Sequence, residues 1–224
     1  MKKLSILFLF VIAVIAQVFA QETTEKSVFD YAETKHEFSL DLAPIILGQY
    51  PSNLLYRNHY VSKNGKNVAL RVGSTLGVDI RSFELDSPGG GNVQKNTGQS
   101  FGFYVGKEYQ RKFHPRILGY YGADLSFSYG RAFNEFKAND PSQPSSTNVH
   151  TFVNLGAVGF LGMKYHFSKH FSLSVETSTS FIYSQSTNSI SEYTQTASGQ
   201  ESISRNGLNF YMSPLRAIRF AFHF

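Results

Sequence analysis

A nucleophile, its base and an orienting acid can be built from serine, histidine and a carboxylate, and His166-Phe167-Ser168 followed by Glu176 offers all three. The chemistry would be hydrolysis or acyl transfer. The flanking residues place the triplet at a turn between two extended segments, and a serine-rich chain produces His-x-Ser by chance. His150 near Ser145 and Ser146 is no more distinctive. The histidines His36, His59, His114, His150, His166, His170 and His223 show no metal spacing. His166 and His170 have the i, i+4 interval, but it aligns ligands only on a helix. Gly89-Gly90-Gly91 lacks the lysine and following helix of a phosphate loop. Glu84, Asp86, Glu135, Asp140, Glu192 and Glu201 could hold a divalent cation or surface sugars, yet solvated loops carry acids routinely. There is no cysteine, hence no thiolate site and no disulfide framework. No catalytic residue, cofactor or metal is expected from these residues, and the chain reads as a non-enzyme.

The elements that would position such side chains are strands. In Val68 to Arg81 the even positions are mostly aliphatic while Arg71, Thr75, Asp79 and Arg81 fall on the other face. Phe171 to Tyr183 sets Phe171, Leu173, Val175, Phe181 and Tyr183 against Ser172, Ser174, Glu176, Ser178 and Ser180; Ile117 to Tyr129 behaves alike. These segments reach the roughly 9 to 11 residues that a tilted membrane strand needs. The spacing predicts strands near 36–48, 53–62, 67–82, 99–113, 116–132, 149–167, 170–186 and 207–224. Short links at 63–66, 114–115 and 168–169 alternate with long ones at 83–98, 133–148 and 187–206, the last a Ser/Thr/Gln/Asn-rich stretch expected to be mobile. The fold class expected is all-β: a transmembrane antiparallel up-and-down β-barrel of about eight strands. In hydrocarbon only closure removes unpaired sheet edges.

Lys2-Lys3, the apolar run from Leu4 to Ala16 and the small residues of Val18-Phe19-Ala20 predict a signal peptide over 1–20, cleaved before Gln21. Residues 21–35 would be a periplasmic tail and 36–224 the barrel domain. Removing Lys2 and Lys3 from the formal net charge of +5 leaves +3, a mild excess that argues against nucleic-acid binding. Tyr60, Tyr109, Phe113, Tyr165, Phe167, Phe171, Phe222 and Phe224 fall near one set of strand ends, as a membrane boundary requires.

The inward faces carry Glu37, Asp41, Asp79, Glu108, Asp124 and Glu176 together with Arg57, Arg71, Arg81, Lys112, Arg116, Lys164 and Arg219. Near balance suggests a plug of ion pairs in a lumen that side chains can fill, and a narrow charged conduit is the alternative. Lys107 and Arg216 misfit, landing on the outward face. A bulge near Ser213-Pro214 would turn Arg216 inward, whereas Lys107 would have to snorkel or mark a register error.

The signal segment, the amphipathic strands and the closing strand Phe220-Ala221-Phe222-His223-Phe224 together resemble the small outer-membrane β-barrel proteins, the group of the OmpA, OmpX and OmpW types. The likeness covers about Glu37 to Phe224 and is one of pattern, with no motif that singles out a member and no peptidoglycan-binding domain after the barrel. It implies a monomeric scaffold in the bacterial outer membrane, in contact with membrane lipid and lipopolysaccharide. Phe220, Phe222 and Phe224 would be read by the barrel-assembly machinery. Two enzymes of this size class, the lipid A deacylase and palmitoyltransferase, keep a lipid-modifying role as a third reading after scaffold and passive transport. The deacylase pairs His-x-Ser with a carboxylate, which His166, Ser168 and Glu176 resemble, but at the end of the barrel away from the outer leaflet.

Overall fold

The computed structural model describes residues 27–85, 92–139, 144–193 and 198–224. The expected signal segment, Asp86, the glycines 89–91 and Asp140 lie outside them. Eight antiparallel strands run in sequence order around a closed ring: β1 (His36–Asp41), β2 (Asn53–Val61), β3 (Asn67–Leu85), β4 (Asn92–His114), β5 (Ile117–Lys137), β6 (Ser145–His166), β7 (Phe171–Tyr193) and β8 (Ser198–His223). β1 closes the ring by pairing with β8 from Glu37↔His223 to Asp41↔Arg219. The single helix among the described residues, α1 (Ala43–Ile46), is one turn with Pro44 near its start.

Two expectations about length are corrected. The first strand ends at Asp41 rather than near residue 48, because Pro44 cannot donate to a ladder and instead opens the helical turn. The long links expected at 83–98, 133–148 and 187–206 are largely strand: β3 to β8 run 19 to 26 residues and pair far past the apolar segments. Their polar residues still offer a full backbone ladder, and cross-strand hydroxyl pairs add to it, Thr187 with Ser204 at 3.1 Å and Ser189 with Ser202 at 3.2 Å. At the other end the links are tight, with Gly65 taking the left-handed conformation (φ 69°) that the Lys63–Lys66 turn demands.

Alternation sorts the two faces inside out relative to a water-soluble protein. Outward residues such as Leu125, Leu155, Leu161 and Phe181 are exposed, while Glu37, Arg57, Arg71, Glu108, Lys164 and Glu176 are fully buried. Inward aromatics are accommodated by glycines directly across the ladder. A Cβ at Gly73 would meet the Tyr104 ring at 2.0 Å, and one at Gly162 the Tyr120 ring at 2.3 Å.

Candidate functional site

Each of the eight strands sends one charged side chain into a common layer across the lumen. Glu37 (β1) receives Arg57 (β2), Lys164 (β6) and the His59 imidazole, the last at 3.0 Å. Arg57 Nε reaches Glu108 (β4) at 2.9 Å. Arg71 (β3) donates through Nη1 to Glu176 (β7) at 2.9 Å and to Glu108 at 3.2 Å, and its Nε lies 3.3 Å from Asp124 (β5). Arg216 (β8) completes the layer, with Asp124 at 3.2 Å and Glu176 at 3.1 Å. Four carboxylates thus face four cations, and such groups persist in a dry interior only when paired. Arg71 also sits over Phe160, its Cζ 3.6 Å from the ring centroid.

Arg216 arrives there through a bulge. Pairing between β7 and β8 steps from Glu176↔Ala217 to Ser178↔Ser213, and the extra residues turn the guanidinium inward to 18% side-chain exposure. Lys107 stays outward in an unbroken register, opposite Leu70 and Ala123, with its ammonium 5.2 Å from the Tyr109 ring centroid.

The thirteen charges expected inside do not all meet. Glu37, Arg57, Arg71, Glu108, Asp124, Lys164 and Glu176 are in the network. Arg219 is buried above it, donating to Asn53 Oδ1 at 2.7 Å. Asp41 is buried at the closing seam, where its Oδ1 accepts from Ala43 and Ile218 amides. Asp79 and Arg81 are placed elsewhere: they pair with each other at 2.8 Å in the exposed upper part of β3, which neither β2 nor β1 covers. Lys112 is exposed at the turn end, 5.9 Å from the Phe29 ring, and Arg116 donates to the Phe167 carbonyl across the turn. Phe220 and Phe222 lie outward on β8 and Phe224 just past its end, in an aromatic row with Phe171.

A second layer lies between this network and the turn end, and it escaped the sequence reading. His59, His166 and His223 are fully buried there, and Gln110 bridges His59 to Glu108. The segment before β1 covers them. Val28 N donates to the Pro115 carbonyl, Phe29 stacks on His166 at 4.1 Å, and Tyr31 stacks on His59 at 3.8 Å with its hydroxyl 3.1 Å from His166 Nε2. Burial, with Glu37 next, holds the Tyr31 phenol well above its ordinary range, so it stays neutral. The alternation of Phe29 and Tyr31 with Asp30 and Ala32 was the available signal, in a stretch too short to read as an element. Beside this cover lies a cavity of about 650 Å³ lined by Tyr31, His59, Gln110 and Lys112.

Catalytic and metal readings meet the same geometry. His166 faces Tyr31 and Phe29, Ser168 Oγ accepts from the His170 amide in the turn, and Glu176 is held by Arg71, so the three do not assemble. Glu37, His59 and His223 bring one donor atom each within 4.8 Å of one another. Lys164 and Arg57 already occupy that carboxylate, so a cation there would sit against two fixed positive charges.

Comparison of the chain with known families, with characterised proteins and with solved structures finds no match. Fold and site therefore stand on their own geometry, an eight-stranded antiparallel sheet closed into a ring, compatible with a small β-barrel.

Proposed function

We propose that this chain is an outer-membrane barrel, sealed along its axis, that serves as a surface scaffold. The observation that carries this reading is the inside-out sorting of side chains, with charge buried and apolar residues exposed. On β7 the outward apolar residues run from Phe171 to Tyr183. At about 3.3 Å per residue and a 45° tilt such a run climbs about 28 Å, close to the apolar height of an outer-membrane barrel. Aromatic residues at the turn end, Tyr60, Tyr165, Phe167, Phe171 and Phe222, would mark the periplasmic boundary, and the long strand extensions would stand outside the cell. Lys107 would snorkel along the outer wall.

Electrophoresis tests the reading directly. Protein from the outer-membrane fraction should migrate differently in detergent before and after boiling; unchanged migration together with a soluble periplasmic protein would refute it. Passive conduction along the axis is opposed by the filled charge layer and by the Phe29–Tyr31 cover. Planar-bilayer recordings should therefore show no steady conductance step. A step altered by Arg71→Ala would instead make the lumen a pore. Lipid A with the same acyl pattern in cells with and without the protein would remove the lipid-modifying reading.

A further inference from the structure

The wall of this barrel is unequal in height. β1 and β2 pair with their neighbours only as far as Asp41↔Arg219 and Asn53↔Thr75, after which the chain crosses between them through α1. Beyond those points the last bonds are Leu42 N to the Ile218 carbonyl and Leu76 N to the Ser52 carbonyl. Above them β3 is paired only to β4 and β8 only to β7, and no ladder joins β3 to β8 among the described residues. Two strands are missing from the upper wall, a notch of about 14 Å at its base if strands keep their usual spacing.

The notch is framed in apolar side chains. Leu76, Val78 and Ile80 stand outward along the β3 edge, and Leu208, Phe210 and Met212 outward along the β8 edge; Ile80 is 74% and Leu208 73% exposed. Ile46 and Leu47 form the sill. Beside it, on β5 to β8, Asn134, Asn148, His150, Asn188, Ile203 and Arg205 are among the residues lining a cavity of about 330 Å³, polar groups mixed with apolar surface and no carboxylate. Arg205 stands on β8, the edge strand itself, on the inward side with Asn209 and Tyr211 and just beyond the apolar rim. Unpaired edges facing hydrocarbon are expensive, so a gap at this depth favours an occupant that covers them.

We infer that the notch binds a single-chain amphiphile with an acidic head, its tail lying between β3 and β8 and its head paired with Arg205. Rim and cation stand in the order that a molecule of the outer leaflet presents them, tail toward the bilayer centre and head toward the surface. A charge-assisted contact to a guanidinium selects the acid over its ester. This site rests on the membrane-spanning reading and goes beyond the scaffold role.

The chain has no tryptophan, so a single introduced one reports its own surroundings. The full chain carrying Tyr211→Trp, inside the notch, or Leu155→Trp, on the outer wall, would be placed in phosphatidylcholine nanodiscs and titrated with 9,10-dibromostearic acid or its methyl ester. The acid should quench Tyr211→Trp at lower concentration than the ester does, and Arg205→Ala should raise the half-quenching concentration about tenfold. Equal quenching by acid and ester, or indifference to Arg205→Ala, would overturn the proposal. So would quenching of Leu155→Trp alone, which leaves the membrane reading intact; if that came with two copies per disc, the gap would belong to a second barrel. Failure of both tryptophans to respond would remove the membrane reading and the site together.

Discussion

Removing one member of the lumen network does more harm than its exposed counterpart could. Glu37→Gln leaves Arg57 and Lys164 buried against a neutral amide, and the cost should be about 3 to 5 kcal/mol. Asp79→Asn breaks a pair whose members are 54% and 63% exposed, and should cost under about 1 kcal/mol. Urea midpoints of the purified barrel in micelles separate the two, and similar midpoints would mean that the charge layer contributes little to stability. Size is as critical as charge at Gly122, where a Cβ would sit 2.0 Å from the Lys107 carbonyl and 2.7 Å from the Phe160 ring that Arg71 covers. Gly122→Ala should lower the midpoint, whereas Gly207→Ala, with nothing within 4 Å, should not. Parity made most of the inward charges legible, but Arg216 enters only through the bulge, and Lys112 and Arg116 stay at the turn end. Which ones meet was not legible: Asp79 and Arg81 share the parity of Arg71, yet they lie beyond the reach of β2, a matter of neighbouring strand length that local spacing does not encode.

At the level of elements, the segment before β1 acts as part of the wall's base. Replacing both Phe29 and Tyr31 by Ala should expose the histidine layer, seen as faster acylation of His59 and His166 by diethyl pyrocarbonate, while the charge network above keeps the bilayer free of conductance steps. Unchanged histidine reactivity would mean that the layer is shielded without it. The strands themselves were legible where apolar and polar residues alternate, because a half-apolar face leaves few other solutions. Their upper halves were not, since Ser, Thr and Asn on both faces of β7 and β8 erase the period-two signal while leaving the backbone free to pair. The bulge at Pro214–Arg216 was legible, because an arginine stranded on an apolar face has few other remedies.

For the molecule as a whole, the layer of charge has an order along the chain as well as in space. Taken two strands at a time, it contributes Glu37 with Arg57, Arg71 with Glu108, Asp124 with Lys164, and Glu176 with Arg216: one carboxylate and one cation per hairpin. Asp41 and Arg219 remain, and they are register partners across β1 and β8. A barrel assembled hairpin by hairpin would therefore add no net charge from this layer at any step. That acid and base come into register only when the first and final strands meet, so ring closure itself would set the last two buried charges, of opposite sign, on one seam.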